Sequence, residues 1–244
     1  MGLKNIGVKN RMSSNNIKLK YDSGNILSKD VHSIGIIALG SHRENHGAAL
    51  PIDTDSKIAA NVALNVATKT GATFLGIFYG ATEYDYIKHG HHLKKDELVN
   101  KQIIPQLINI KKQLNIKSVI IVNGHGGNNL IIEDIDKISK KTELKIIFNN
   151  SIIESEGPHA CTGELSMGAV LGITDMTSLK EHENFIKHPE VGMVGLKEAR
   201  DNEPIINKEA LTIEKEGFEV NMILGQDMLE NAQKEIINEV KKLL

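Results

Sequence analysis

The run Ile34-Gly-Ile-Ile-Ala-Leu39 passes directly into Gly40-Ser-His-Arg-Glu44-Asn-His46-Gly-Ala-Ala-Leu-Pro51-Ile-Asp53-Thr-Asp55. The first six residues are apolar or glycine and rich in isoleucine, which is typical of a buried strand. The residues that follow combine glycine, proline and charged side chains, which indicates a loop. In α/β proteins, ligands bind in the crevice outside the carboxyl ends of the strands. This stretch therefore predicts both a strand and the edge of a site.

Further apolar runs extend the pattern along the chain. Three more β-rich runs lie at Thr73–Tyr79, Ser118–Val122 and Leu144–Asn149. Segments whose apolar residues recur at helical spacing separate the runs, at residues 58–66, 98–108 and 131–138. Alternation of strand and helix predicts a parallel sheet that is covered by helices on both faces. Pro105 is expected to bend the second helix or to mark its early part.

The last third of the chain is less regular. A short helix is predicted from Gly163 to Gly172 and a long one from Gly225 to Leu244, with a less regular stretch from Asp175 to Gly217 between them. No repeat or change of composition marks a second domain, so residues 17–244 are predicted to form one domain. Residues 1–16 are polar and basic without an apolar signal core, and we expect a loose extension there.

Composition excludes several classes of protein. The 244 residues include 29 Lys and Arg against 31 Asp and Glu, so no overall field draws the chain to nucleic acid or to an anionic membrane. No apolar run approaches the ~18 residues that a membrane span needs. The single cysteine, Cys161, cannot form an internal disulfide and fits a reducing compartment. We expect a cytoplasmic protein whose partner is neither nucleic acid nor a membrane.

Polar side chains follow each of the four predicted strands. They are Glu44, His46, Asp53 and Asp55 after the first, Glu83, Asp85, His89, His91 and His92 after the second, His125 after the third, and Glu154, Glu156, His159 and Glu164 after the fourth. The carboxyl ends of parallel strands meet at one edge of a sheet, so these segments are expected to converge. Imidazole and carboxylate groups are the ligands from which hydrolytic metal sites are made.

Each segment also has a simpler interpretation. The segment around Glu44 could be a solvated loop, and Lys88-His-Gly-His-His92 could be a solvated turn. Of the residues that precede the first helix, Asp53 or Ser56 is expected to cap it and Asp55 to bind metal.

The later segments carry alternatives of their own. Asn123-Gly-His125-Gly-Gly-Asn128 places an imidazole among glycines, where a ligand can approach closely, but a phosphate-binding turn would look similar. Glu164 could be only a first-turn carboxylate that the helix dipole favours. Cys161 beside His159 permits a thiol nucleophile, although an isolated cysteine is more often a small buried side chain.

Taken together, four motifs in order resemble one family of enzymes. They are Gly40-Ser41-x-x-Glu44-x-His46-Gly47, Leu50-Pro51-x-x-Thr54-Asp55, Asn123-Gly124-His125-Gly126-Gly127-Asn128 and His159-Ala160-x-x-x-Glu164. The chain resembles the creatininase (creatinine amidohydrolase) family from about Ile34 to Gly172. The resemblance implies a three-layer αβα sandwich with a mostly parallel central sheet, and assembly into a homo-oligomer.

The resemblance also implies a centre of two divalent metal ions. Asp55 would bridge the ions, with Glu44 and His125 on one and His46 on the other. Creatininase has a ligating glutamate two residues after the loop histidine, where this chain has Gly127, and Glu164 is the candidate to complete the second ion. His159 would lie near the scissile bond, where it or Glu164 moves a proton to the departing amine.

Within the family, residues 44–55, 159–166 and 192–200 most resemble members that remove formate from the formylamino group of a pyrimidine ribonucleotide. That reaction belongs to archaeal riboflavin and deazaflavin (F420) biosynthesis. Attack would come from a metal-activated hydroxide. The resemblance implies Fe(II), although these ligands also suit Zn and Mn. Three alternatives stay open: hydrolysis of a creatinine-like cyclic amide or a peptide, non-catalytic nucleotide binding, and a Cys161 hydrolase.

Overall fold

The fold is built on a parallel sheet whose strands come close to the predicted ones. The computed structural model describes residues 27–244, so the extension predicted at residues 1–16 lies outside the described residues. The strands are β1 (Ile34–Leu39), β2 (Thr73–Ile77), β3 (Ser118–Asn123) and β4 (Lys145–Asn149). All three strand pairings are parallel, in the order β2-β1-β3-β4. The predicted parallel sheet is confirmed, with strand ends shifted by one or two residues.

Helices connect and cover the strands. They are α1 (Thr54–Thr70), α2 (Lys95–Glu97), α3 (Ile104–Leu114), α4 (Ile135–Thr142), α5 (Ser151–Glu156), α6 (Thr162–Leu171), α7 (Leu179–His182), α8 (Lys197–Asn202), α9 (Pro204–Glu216) and α10 (Met222–Leu243). None of these helices combines the length and the hydropathy that a membrane crossing requires. A π-helical segment, Leu98–Ile103, precedes α3, and Pro105 lies in the first turn of α3, as expected.

One segment departs from the prediction. The stretch that was expected to be less regular contains α9, a helix of 13 residues. Its sequence gives a weak apolar signal because only Ala210 and Ile213 are buried along it. Pro204 begins the helix at a position where its missing N–H costs no hydrogen bond.

Successive side chains of the central strands point to opposite faces of the sheet and define two cores. Ile36 and Ala38 of β1 pack with residues of α1 and α10 on one face. Ile37 and Leu39 of the same strand pack with residues of α3 and α4 on the other. A third cluster packs the loop after β1 and the start of α6 against α9. The result is a three-layer αβα arrangement, and the third apolar cluster packs against the loops at its edge.

The strand order places a crevice between β1 and β3. The chain passes from β1 to β2 on one side and returns to form β3 on the other side of β1. Loops that leave two such neighbouring strands diverge, and ligands bind where they separate. Residues that follow β1 and β3 therefore line one crevice.

Two glycines let α1 approach this crevice closely. A Cβ atom at Gly40 would lie 2.5 Å from the Ser56 backbone nitrogen, and one at Gly124 would lie 2.7 Å from the Asp55 carbonyl oxygen. Any larger residue at either position would push the first turn of α1 away. The missing side chains thus bring Asp55 between the two loops.

A third glycine sets the contact between α6 and α10 and generates a prediction. A Cβ at Gly225 would lie 2.3 Å from the Ser166 carbonyl oxygen, which is backbone and cannot move aside. Alanine favours helices by about 1 kcal/mol over glycine. We nevertheless expect Gly225→Ala to lower the free energy of unfolding, by roughly 1–3 kcal/mol, because of this overlap.

Urea denaturation would measure this effect. Asp227→Ala, at an exposed position in the same helix, is the matched control and should leave stability within about 0.5 kcal/mol of the parent. A Gly225→Ala protein at least as stable as the parent would contradict the packing described here.

Candidate metal centre

The structure brings all six predicted site residues together at the crevice between β1 and β3. They are Glu44, His46, Asp55, His125, His159 and Glu164. Five of the six are buried, and the side chain of His159 is 10% exposed. They come from the loop after β1, the first turn of α1, the loop after β3, and the segment that starts α6. Convergence of these segments is the feature that a single motif could not establish.

His46 is oriented by its own loop. Its Nδ1 lies 3.0 Å from the Glu44 backbone carbonyl, which can only accept, so Nδ1 carries the donated proton. The other nitrogen, Nε2, faces two carboxylate oxygens, Asp55 Oδ1 at 2.8 Å and Glu164 Oε2 at 3.2 Å. This nitrogen is therefore the one available to a cation.

His125 repeats the arrangement with its nitrogens exchanged. Its Nε2 lies 3.1 Å from the Thr82 carbonyl and donates to it. Its Nδ1 faces Glu44 Oε2 at 2.9 Å and Asp55 Oδ2 at 3.0 Å. Asp55 thus directs one oxygen toward each histidine, which is the placement expected of a bridging carboxylate.

The cluster requires positive charge. Glu44 Oε2 and Glu164 Oε2 are buried and have no hydrogen-bond partner. Burial alone would raise the pKa of Glu44, but the facing His125 imidazole, with smaller effects of His92 and His159, holds it well below its usual value. The pKa of Glu164 falls to about 2, because His46 and His159 outweigh the opposing effect of burial.

The pKa values of the two histidines shift in the opposite direction. Burial would lower the pKa of His46, but Asp55 and Glu164 raise it well above its usual value. Burial likewise opposes a charge on His125, and Glu44, Asp55 and Glu83 raise its pKa. A buried carboxylate is stable only when a proton or a cation compensates it. Carboxylates and imidazoles of this kind therefore fit divalent metal ions, which would supply the same charge without protonating the rings.

His159 lies on the wall of the cluster. Its Nε2 donates to the Asn45 carbonyl at 2.9 Å. Its Nδ1 lies 3.6 Å from Glu164 Oε1 and 3.8 Å from Glu44 Oε1, so this nitrogen faces the carboxylates without contacting them. Glu164 is itself fixed, since its Oε1 accepts from the Ala160 backbone N–H at 2.9 Å. The predicted proton-transfer roles of His159 and Glu164 stay predictions.

Three further residues join the cluster from the loop after β2. Glu83, His89 and His92 were noted as polar residues at a strand end, and a solvated turn was left open as an alternative for residues 88–92. His91 is exposed, as a solvated turn would have it, whereas the side chains of His89 and His92 are only 2% and 7% exposed.

Backbone contacts explain this burial. Residues 43–45 and 89–91 exchange backbone hydrogen bonds, Asn45 N–H to His89 carbonyl at 2.8 Å and His91 N–H to Arg43 carbonyl at 2.7 Å. Gly90 permits the approach, because a Cβ there would lie 2.8 Å from the Arg43 carbonyl oxygen. Burial lowers the pKa of His89 to about 3, so this ring is neutral. A glycine between histidines was the signal in the sequence that could have indicated the contact.

The expected N-cap of α1 is wrong, and one alternative for the site fails. Asp53 occupies the N-cap position of α1 but makes no capping hydrogen bond, since its carboxylate accepts from Lys57 Nζ at 2.7 Å. Ser56 also caps nothing, because its hydroxyl donates to the Ser41 carbonyl. The thiol-nucleophile alternative fails because Cys161 is fully buried and burial raises the pKa of its thiol far above the usual range.

A cavity of about 490 Å³ opens above the cluster. Glu44, His125 and His159 line its floor, and Tyr84 and Tyr86 line one wall with their rings stacked at 5.3 Å.

The rest of the lining is partly apolar and partly acidic. The apolar residues are Ile205, Ile206 and Met193, and the acceptors are Glu154, Glu156, Glu203 and Glu209. Within residues 27–244, no lysine or arginine lines this cavity. Its size and mixed lining suit a small polar molecule with a planar ring.

His182 links the loop after β1 to the segment that precedes α6 through two hydrogen bonds. Its Nδ1 accepts from the Ala49 N–H at 3.0 Å, and its Nε2 donates to the Ala160 carbonyl at 2.8 Å. The ring is fully buried, and a Cβ at Gly47 would lie 2.3 Å from its Nδ1. Only a neutral ring can accept and donate in this way, and burial lowers the pKa of His182 accordingly.

This contact predicts a pH dependence of stability. A lowered pKa in the folded state means that the unfolded chain binds the proton first, so stability falls as pH drops below about 6.5. His182→Gln retains one acceptor and one donor but does not titrate. On acidification, the free energy of unfolding of metal-free His182→Gln should fall less steeply than that of the metal-free parent. The two slopes should differ by up to about 1.4 kcal/mol per pH unit.

Urea unfolding of the metal-free proteins between pH 7.5 and 5.5 would show the difference. His91→Gln, at an exposed position of the histidine-rich turn, provides the control. If the free energy of unfolding falls equally with pH in the parent and in His182→Gln, the role of His182 is refuted.

Comparison with known proteins places this geometry in one family. The family model described as "Creatinine amidohydrolase" matches residues 27–190. A protein of Methanothermobacter marburgensis is 50% identical over 229 residues, which cover 93% of this chain and 98% of that protein. One of Methanococcus maripaludis is 42% identical over 228 residues, covering 93% and 100%. Both are named "2-amino-5-formylamino-6-ribosylaminopyrimidin-4(3H)-one 5'-monophosphate deformylase".

Solved structures share the fold at lower identity. The structure named "Creatininase Mn" has a TM-score of 0.57 at 15% identity and covers 86% of this chain and 90% of that chain. A mutant creatininase of "Zn-Zn type" has a TM-score of 0.60 at 16% identity, with the same coverage. These similarities confirm the creatininase-like αβα fold. Given the family-model match and the archaeal relatives, the chain belongs to the creatininase (creatinine amidohydrolase) family.

Proposed function

We propose that this protein is a metal-dependent deformylase that removes formate from the formylamino group of 2-amino-5-formylamino-6-ribosylaminopyrimidin-4(3H)-one 5'-monophosphate. The observation that carries the proposal is the Asp55 carboxylate, with one oxygen on each of two oriented histidines. A relative that is 50% identical over 93% of the chain bears the name of this activity. We place the reaction in archaeal riboflavin and F420 biosynthesis.

The donor set fits two ions. Glu44, His125 and one oxygen of Asp55 would hold the first, while His46, Glu164 and the other oxygen of Asp55 would hold the second. Nitrogen and carboxylate donors suit Fe(II), Zn and Mn, of which we propose Fe(II). When bound, such ions supply an activated water and a Lewis acid for the formyl oxygen.

The protein's own groups handle the proton. Hydrolysis adds water to the formyl carbon and breaks the C–N bond, so one proton must reach the departing nitrogen. His159 Nδ1 is available for this transfer because Nε2 is committed to the Asn45 carbonyl. Glu164 Oε1, 3.6 Å from His159 Nδ1, would orient the ring and stabilise it when it is protonated.

The cavity wall supports a pyrimidine substrate. Tyr84 and Tyr86 offer aromatic faces on which a planar ring can stack. The amino groups and ring N–H of the aminopyrimidinone are hydrogen-bond donors, and the carboxylates that line the same cavity are acceptors. Among them are Glu209 and Glu203, and Glu203 Oε1 also accepts from the Tyr86 hydroxyl at 2.7 Å. Lining of this kind favours a donor-rich base over an apolar amide.

Several further expectations from the sequence and from the resemblance complete the proposal. We propose that residues 17–244 act as one domain, that the protein is a homo-oligomer, and that it works in the cytoplasm. Neither a membrane nor a nucleic acid is proposed as a partner.

Metal dependence gives the first test. Protein that is stripped with a chelator and handled without oxygen should release no formate from the formylaminopyrimidine nucleotide, and Fe(II) or Mn(II) should restore release. Formate production follows the reaction directly. Equal turnover with and without chelator would contradict the metal-dependent mechanism, and turnover of creatinine alone would contradict the substrate.

Variants of the bridging residue and its neighbours give a second test. We expect Asp55→Asn, Glu44→Gln and His125→Ala each to lower kcat by at least about 1,000-fold while circular dichroism stays unchanged. Asp53→Asn is the matched control, since Asp53 lies two residues away and is paired with Lys57 at the surface. Unaltered turnover by Asp55→Asn would exclude a bridging carboxylate.

A further inference from the structure

Gly127 lies in the loop after β3, two residues beyond His125, and the space beside its Cα is already filled. A Cβ there would lie 2.4 Å from Glu83 Oε1, 2.5 Å from the Thr82 carbonyl oxygen and 2.7 Å from Glu83 Cδ. The φ angle of Gly127 is not in the left-handed region, so the backbone does not itself require glycine. Close approach of the Glu83 carboxylate and of the Thr82 backbone carbonyl is what excludes a side chain.

The Glu83 carboxylate is held against His125. Its Oε1 accepts from the Tyr84 N–H at 2.8 Å, and its Oε2 lies 3.4 Å from His125 Nε2. The side chain is 5% exposed. Thr82 N–H also donates to Asn128 Oδ1 at 3.0 Å, so the loop after β2 is fastened to the loop that carries His125.

The contact lies on the outer side of the histidine ring. Nε2 carries a proton that it donates to the Thr82 carbonyl, and Nδ1 points the opposite way, toward Glu44 and Asp55. A carboxylate on the N–H side of a ligating imidazole fixes its tautomer and increases the basicity of the other nitrogen. Such partners typically change metal affinity by about 10–100-fold.

We propose that Glu83 is a positioning residue for His125 and that its carboxylate, supplied from the loop after β2, takes the place of any side chain at position 127. The inference rests on the proposed function, because it assumes that His125 Nδ1 binds metal. Glycine at position 127 would then leave room for this carboxylate and for the Thr82 carbonyl that holds His125.

Mn(II) binding measures the effect without relying on turnover. Glu83→Gln and Glu83→Ala should each weaken Mn(II) binding by about 10–100-fold, as followed by electron paramagnetic resonance of free Mn(II). Circular dichroism and thermal melting report whether the fold is retained. Glu239→Gln, which alters a half-buried carboxylate bonded to Asn149, should bind Mn(II) as the parent does.

The charge of Glu83 separates positioning from simple packing. Glu83→Gln keeps the size of the side chain and an acceptor for the Tyr84 N–H, so it should bind Mn(II) more weakly while its melting temperature stays near that of the parent. Gly127→Glu should also weaken Mn(II) binding, because its side chain would overlap both the Glu83 carboxylate and the Thr82 carbonyl that holds His125. An Mn(II) affinity in Glu83→Gln that falls only together with the melting temperature would overturn positioning in favour of packing.

The two proposals fail in different ways. Parent-like Mn(II) affinity in Glu83→Gln would overturn the role of Glu83 alone. A parent protein that binds no Mn(II), Fe(II) or Zn(II) would overturn the proposed function together with this inference.

Discussion

The contact on which the site depends is that of the buried Asp55 carboxylate with two imidazole nitrogens. Its oxygens lie 2.8 Å from His46 Nε2 and 3.0 Å from His125 Nδ1. Each ring has its other nitrogen committed to a backbone carbonyl, so neither can turn away. With Glu44 and Glu164 also buried, the pocket holds more negative charge than a buried site tolerates without a cation. The need for a cation therefore follows from the positions of these buried groups.

That placement in turn depends on backbone packing. Asp55 reaches the crevice because Gly40 and Gly124 let the first turn of α1 lie against the ends of β1 and β3. The parallel pairing of β1 with β3, in register from Ile34↔Ser118 to Leu39↔Asn123, brings the two loops to the same level. Small residues at the strand ends thus determine where the carboxylate lies, and the apolar layers keep the strands in place.

Much of this arrangement was predictable from sequence, and the reason is local. Each strand is a short run of apolar residues, and Glu44, His46 and His125 follow such runs directly, so the topology of a parallel sheet brings them together. The resemblance to a family then distinguished Asp55 from Asp53. Burial of His89 was missed, because it depends on hydrogen bonds between residues 43–45 and 89–91, for which Gly90 is a weak signal in the sequence. α9 was missed for a different reason, since only Ala210 and Ile213 are buried along it and its apolar pattern is weak.

The two halves of the site differ in how they are built. His46 is oriented by the carbonyl of Glu44, a residue of its own loop, so its geometry is largely a local property. His125 is oriented by Thr82, which belongs to the loop after another strand and is itself held by a backbone contact with Leu93. A change in the loop after β2 would therefore disturb His125 before His46. If two ions bind as proposed, the affinity at His125 should depend on tertiary packing, whereas the affinity at His46 should depend mainly on the loop after β1 and on Glu164.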